Sequence, residues 1–97
     1  MSFADPISRK AVLAAIAECD RLGRDSFLVK CGYGRGRNYF LDISGREYDS
    51  KAILGVAHGY EYPELGPLSH HAFSGGHLTV KPRLEEIGFV VRVTPKA

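Results

Sequence analysis

The sequence predicts an α+β fold in which about four helices, two of them short, pack on a small antiparallel sheet made of a β-hairpin and a C-terminal strand. Three observations predict it. Apolar residues recur at helical spacing early in the chain, a Ser-Gly pair separates two strand-like runs near the middle, and a β-branched run lies close to the end. Ninety-seven residues with 44% apolar content suffice for one modest core, so a single domain over residues 1–97 is expected.

Taken in order, Ser8 is placed to cap a first helix in which Val12, Leu13, Ile16, Cys19 and Leu22 recur at three- and four-residue steps, and Gly23 to end it. Next, Asp25 or Ser26 could cap a short helix that puts Phe27, Leu28 and Cys31 on one face, with Gly32 as its stop. The alternation of Gly32, Gly34 and Gly36 with Tyr33, Arg35 and Arg37 then indicates a loop. Residues 38–43 set Tyr39, Leu41 and Ile43 against Phe40 and Asp42. Ser44-Gly45 supplies a two-residue turn, and Arg46-Glu47-Tyr48 returns as the second strand. Asp49 or Ser50 caps a helix carrying Ile53, Leu54, Ala57 and His58, expected to end near Gly59. After an irregular connection over residues 60–67, a short turn should include His70, His71 and Phe73. A last helix carries Leu78, Val80, Leu84 and Ile87 and ends at Gly88. Pro82 requires that it start near Thr79, so that the proline falls in the first turn, or that it kink. Residues 89–93 form the closing strand, expected to pair with the hairpin.

Bulk properties bound the function. Thirteen basic against eleven acidic residues leave a net charge of only +2, so any basic footprint must be local. No apolar run reaches the length of a membrane span, and the N-terminal residues lack the order of a signal peptide, so the expected location is the cytoplasm with no membrane partner. Cys19 and Cys31 are too few for a disulfide framework and are read as core residues. The terminal VTPKA has the composition of a linker, and the chain is expected to be an N-terminal piece of a longer protein.

Residues 30–51 carry the most suggestive chemistry. Arg35 and Arg37 offer forked donors for phosphates or guanine edges, Tyr33, Tyr39 and Tyr48 offer aromatic faces, Asn38 and Ser50 add donors, and the glycines let backbone approach a phosphate. Lys51 falls at the start of a helix, where its ammonium adds to free amides and the positive end of the dipole. Such a surface would hold double-stranded DNA. The plainer reading is a solvated turn with the tyrosines half buried beneath it. The glycine spacing matches neither the Walker sequence nor the dinucleotide fingerprint. A second candidate phosphate site is Ser74, Gly75 and Gly76 at a helix entrance, where an ordinary capped turn is the alternative.

His58, His70, His71 and His77 lack metal-ligand spacing, and neither CxxC nor HExxH occurs, so no metal and no cofactor are expected. Glu85-Glu86 reads as a solvated face, and Asp42 and Asp49 have structural explanations. No catalytic residue is identified, and the chain is not expected to be an enzyme by itself.

The stretch GYGRGRNYFLDISGREYDSKAILGVAHGY resembles the N-terminal head domain of bacterial McrA-like, HNH-type modification-dependent (type IV) restriction endonucleases. The likeness extends to AVLAAIAECDRLGRDSFL, Pro67-Leu68, Phe73-Ser74-Gly75-Gly76 and Leu84-Glu85-Glu86-Ile87-Gly88-Phe89. It implies an accessory DNA-recognition module whose partners are DNA and the other domains of the parent endonuclease, with cleavage by a separate HNH domain. The mark read would be 5-methylcytosine, another modified base or a phosphorothioate backbone. A rival from another class is a protein-interaction or dimerisation module, which predicts an exposed apolar patch around Tyr60, Tyr62, Leu65 and Leu68. A catalytic domain using His70 or His71 would need a partner carboxylate that the sequence does not identify.

Overall fold

In the computed structural model, which describes residues 7–34, 39–69 and 80–93, the elements follow the order ααββααβ. Helix α1 spans Arg9–Leu22, and the Ser8 side chain accepts the Ala11 amide as its N-cap. Its buried face carries Ala11, Val12, Ala15, Ile16 and Cys19, whereas Leu13, expected in the core, is 45% exposed. The buried face that packs in the core, where α3 is the main partner of α1, runs through Ala11, Val12, Ala15, Ile16 and Cys19, and Leu13 falls outside it.

Gly23 (φ 85°, ψ 155°) turns the chain within a single residue, donating its N–H to the Cys19 carbonyl and accepting the Phe27 amide. Helix α2, Arg24–Cys31, therefore starts earlier than an Asp25 or Ser26 cap would allow, with the Gly23 carbonyl opening it instead of a side chain. It buries Phe27 and Leu28 and leaves Cys31 half buried. A Tyr33 N–H to Leu28 carbonyl bond closes its end.

Strands β1 (Tyr39–Ile43) and β2 (Arg46–Asp49) form the hairpin, and β3 (Val90–Val93) adds to the free edge of β1, giving an antiparallel sheet of order β2-β1-β3. Positive φ at both Ser44 (51°) and Gly45 (85°) defines the tight turn whose twist suits a two-residue hairpin. Leu41 lies at the sheet centre, opposite Tyr48 on one side and Val91 on the other, and is fully buried.

Helix α3, Ser50–Glu61, follows β2 directly and packs against α1, α2, α4, β1 and β2. This central position explains why almost every residue from Ala52 to His58 is buried, including Gly55 and His58. The helix continues two residues beyond the expected stop at Gly59. Gly59 is instead a crossing point: a β-carbon there would meet Pro67 N at 2.8 Å and Gly66 C at 3.1 Å. His58 Nδ1 lies 2.9 Å from the Gly66 carbonyl, and because a carbonyl only accepts, Nδ1 carries a proton. Helix α4, Val80–Glu86, buries Val80 and Leu84 and places Pro82 third, where its missing N–H interrupts no intrahelical bond.

The buried apolar side chains form one cluster drawn from every element. Among the described residues no helix is long and apolar enough to cross a membrane. The expected turn at His70, His71 and Phe73 lies outside the described residues.

Candidate nucleic-acid interface

The end of the hairpin remote from the Ser44–Gly45 turn is where the strands and α3 meet. Phe40 pairs with Asp49, which is both the last residue of β2 and the N-cap of α3. Ser50 Oγ donates to the Tyr39 carbonyl at 3.0 Å, locking the first turn of α3 to β1. Tyr39 is half buried against the core, and Lys51, the second residue of α3, is half buried. Tyr39, Ser50 and Lys51 are thus brought together at one corner.

Arg24, at the start of α2, reaches this corner. Its Nε and a terminal nitrogen donate to the two Asp49 carboxylate oxygens at 2.7 and 2.8 Å, and its guanidinium carbon lies 5.9 Å from the Phe40 ring centre. The forked geometry suits a planar guanidinium, and the hydrogen bonds to Asp49 push the Arg24 pKa further up. In the sequence Arg24 falls in a connector between helices. Its pairing with a residue 25 positions away becomes visible only in three dimensions.

Two of the tyrosines singled out from the sequence lie inside the fold. Tyr33 is buried, with its hydroxyl donating to the Leu68 carbonyl at 2.7 Å, and burial pushes its phenol well above the ordinary range. Tyr48 is also buried and donates to Asp20 Oδ1 at 2.8 Å; burial first, and that hydrogen bond second, raise its pKa. Both rings are therefore tied into the fold, and neither presents an open face. Arg35, Arg37, Asn38, Ser74, Gly75 and Gly76 lie outside the described residues.

Beside the corner, a recess of about 310 Å³ between the α1–α2 junction and β2 is lined by Asp20, Arg24, Arg46, Glu47 and Asp49, with charges of both signs. Arg46 lies 3.2 Å from Asp20, so opposite charges largely cancel within it.

A second feature lies between α1, α2 and α3. A groove of about 420 Å³ is lined by Cys31, Val56, Gly59, Tyr60, Pro63 and Pro67, with Glu18 and Lys30 at its side. Glu18, although buried, receives the Tyr60 hydroxyl at 2.5 Å and the Lys30 ammonium at 3.0 Å. Burial alone would raise the Glu18 carboxyl, but the hydrogen bonds from Tyr60 and Lys30 outweigh it and hold the group below its ordinary value. Of the expected apolar patch, Tyr60 (43%) and Leu65 (51%) are exposed. Tyr62 packs its ring 5.0 Å from that of His58, and Leu68 is buried. Among the described residues no group of three or more His, Cys, Asp or Glu side chains is placed to hold a metal ion.

This α+β scaffold, with its hairpin running straight into a buried central helix, has relatives. The chain belongs to the ScoMcrA-like N-terminal head domain family, whose model matches residues 5–93. Among solved structures it is similar to the Type IV phosphorothioation-dependent restriction endonuclease ScoMcrA, with a TM-score of 0.67 and 38% identity. That match covers 96% of this chain and 14% of the endonuclease chain, so the present chain spans about one seventh of that protein's length. No curated protein matches the chain.

Proposed function

We propose that this chain is the DNA-contacting head of a modification-dependent restriction endonuclease, holding the DNA backbone while a separate domain of the parent protein cuts. The observation that carries this reading is the 38% identity, over nearly all of this chain, to an endonuclease described as dependent on phosphorothioation. The corner at the hairpin base has suitable chemistry. Lys51 stands at the amino end of α3, Ser50 and Tyr39 are adjacent, and Arg35, Arg37 and Asn38 precede Tyr39 in sequence. Tyr33 and Tyr48 act as supports, and Ser74, Gly75 and Gly76 offer a second set of donors. The module itself is non-catalytic and, acting on DNA, works in the cytoplasm.

Between the two kinds of mark, the backbone mark fits better. A phosphorothioate replaces a non-bridging phosphate oxygen, and phosphates are what cations and helix amides hold. A cytosine methyl group sits on a base edge in the major groove and needs an apolar contact. Binding of the chain to otherwise identical duplexes that are plain, phosphorothioated or 5-methylated, titrated with salt, tests the proposal. Affinity should fall steeply as salt rises, because phosphate contacts release counterions. Replacing Arg35 and Arg37 by Ala should weaken binding to all three duplexes. Absence of binding to every duplex at low salt overturns the proposal, whereas equal affinity for all three leaves a head that holds DNA without reading a mark.

A second reading, a module docking on the rest of the parent enzyme, is favoured by the apolar groove beside exposed Tyr60 and Leu65. Replacing Leu65 by Lys separates the readings, since it should leave DNA affinity unchanged and weaken only association with the remaining domains.

A further inference from the structure

Side chains alternate between the two faces of a strand. On β1, Leu41 is fully buried and Tyr39 and Ile43 pack against the core beside it, so Phe40 and Asp42 fall on the opposite face. The pairing register adds Val90 and Arg92 of β3 to that face, since Val91 between them is buried opposite Leu41. The face is open at β3, where Val90 is 61% exposed. Phe40, half buried on the central strand, lies between two arginines: Arg92 is its partner on β3, and the Arg24 guanidinium carbon is 5.9 Å from its ring centre. Each arginine is paired with a carboxylate, and in both pairs the anion is the inner member. The Asp42 side chain is 13% exposed against 62% for Arg92, and that of Asp49 7% against 43% for Arg24. Solvent therefore meets the cations, and a guanidinium carries five N–H donors, more than one carboxylate takes up. Glu47, the acid across from Asp42, lies further along towards the Ser44–Gly45 turn.

We propose that Phe40 is a stacking platform for an unpaired base of DNA, with Arg24 and Arg92 on either side to meet the sugar-phosphate chain. The inference rests on the reading of the chain as a DNA-contacting head and names the part of DNA that this face takes. An aromatic ring stacks on any base, and cations beside it attract the backbone that carries the base. A paired base is enclosed by its neighbours in the stack, so the base comes from a single strand or from a nucleotide turned out of a duplex. The exposed members of both ion pairs carry the same sign, which suits a polyanion better than a protein surface of mixed charge. The face also adjoins the corner formed by Tyr39 and Ser50, because Phe40 follows Tyr39 directly. Of the rings expected to stack on a base, Tyr33 and Tyr48 are tied into the fold, and Phe40 takes that part.

The test measures binding at low salt to a short oligothymidine strand, to a duplex with a single bulged thymine and to the same duplex fully paired. Wild type should bind the first two more tightly than the third. Phe40→Ala should lose roughly five- to 150-fold on the unpaired probes, the range that base–aromatic stacking supplies, and little on the paired duplex. Phe40→Leu, which keeps the bulk of the side chain without an aromatic face, should lose a similar share, and Phe40→Tyr should retain binding. Circular dichroism melting checks that each variant is folded at the temperature used. Stacking has a second signature: ring-current shifts of the thymine protons, seen with wild type and Phe40→Tyr and absent with Phe40→Leu. A loss confined to one unpaired probe shows which source of the base the face accepts. If the folded Phe40→Leu holds both unpaired probes as tightly as wild type, the platform is overturned, the result expected of a face that docks on protein. If wild type binds the paired duplex and gains nothing on the unpaired probes, the platform falls while the DNA reading stands. Binding of unpaired probes through Phe40 without binding to any paired duplex upholds the platform and overturns the endonuclease-head reading. Binding to no probe overturns both.

Discussion

Gly55 sits where α3, Tyr33 and the segment after Gly66 converge. A β-carbon there would collide with the Tyr33 hydroxyl, approach its ring carbon at 2.8 Å and meet the Leu68 carbonyl at 3.1 Å. The same three residues are joined by hydrogen bonds, from Tyr33 Oη to the Leu68 carbonyl and from the Leu68 N–H to the Gly55 carbonyl at 3.0 Å. Gly55→Ala must therefore displace the tyrosine and break a buried bond, at a cost of about 1–3 kcal/mol. Tyr33→Phe removes the hydroxyl, should cost about 1 kcal/mol, and leaves more room for the alanine methyl. In a double-mutant cycle by urea unfolding, Gly55→Ala should thus cost less when combined with Tyr33→Phe than in wild type. Strict additivity would mean that the hydroxyl is not what excludes a side chain at position 55.

Between elements, polar ties fix how the helices sit on one another. Glu18 of α1 receives bonds from Lys30 of α2 and Tyr60 of α3, so one carboxylate links three helices. Glu18→Gln should lower stability by about 1 kcal/mol at neutral pH, a modest figure because Lys30 is mostly exposed and its attraction is screened. The pH dependence has a definite sign. The folded state holds the Glu18 carboxyl below its ordinary 4.5, so its contribution is present above that value and lost as pH falls through the lower, folded value. Wild type should therefore lose stability more steeply than Glu18→Gln as the medium is acidified below about pH 4.5. Parallel curves for the two proteins would show that the carboxylate contributes nothing beyond its shape.

For the molecule as a whole, one apolar cluster joins all seven described elements, with Leu41 at the sheet centre and α3 as the hub. A shared core of this kind predicts one cooperative unfolding transition, in which helical circular dichroism and the near-ultraviolet tyrosine signal change at the same temperature. Leu41→Ala should cost about 2–5 kcal/mol, a large part of the roughly 5–15 kcal/mol that holds a domain of this size together. Two separated transitions would show that the sheet and the helices do not share their core.

The order of elements, the ends of α1 and the hairpin with its Ser44–Gly45 turn were legible in the sequence, and of the two positions open to Pro82, in the first turn or at a kink, the structure takes the first. Each follows from local causes: side-chain spacing, allowed backbone angles and the missing amide of proline. The family was legible too, because motif residues are local strings. Tertiary structure decided the rest. It turned Leu13 outward, carried α3 two residues past Gly59, where Pro67 crosses, and sank Tyr33 and Tyr48 into the core. It also joined Arg24 to Asp49 across the fold. These outcomes depend on which surfaces meet after the chain has folded back on itself, and spacing along the chain does not encode those distances.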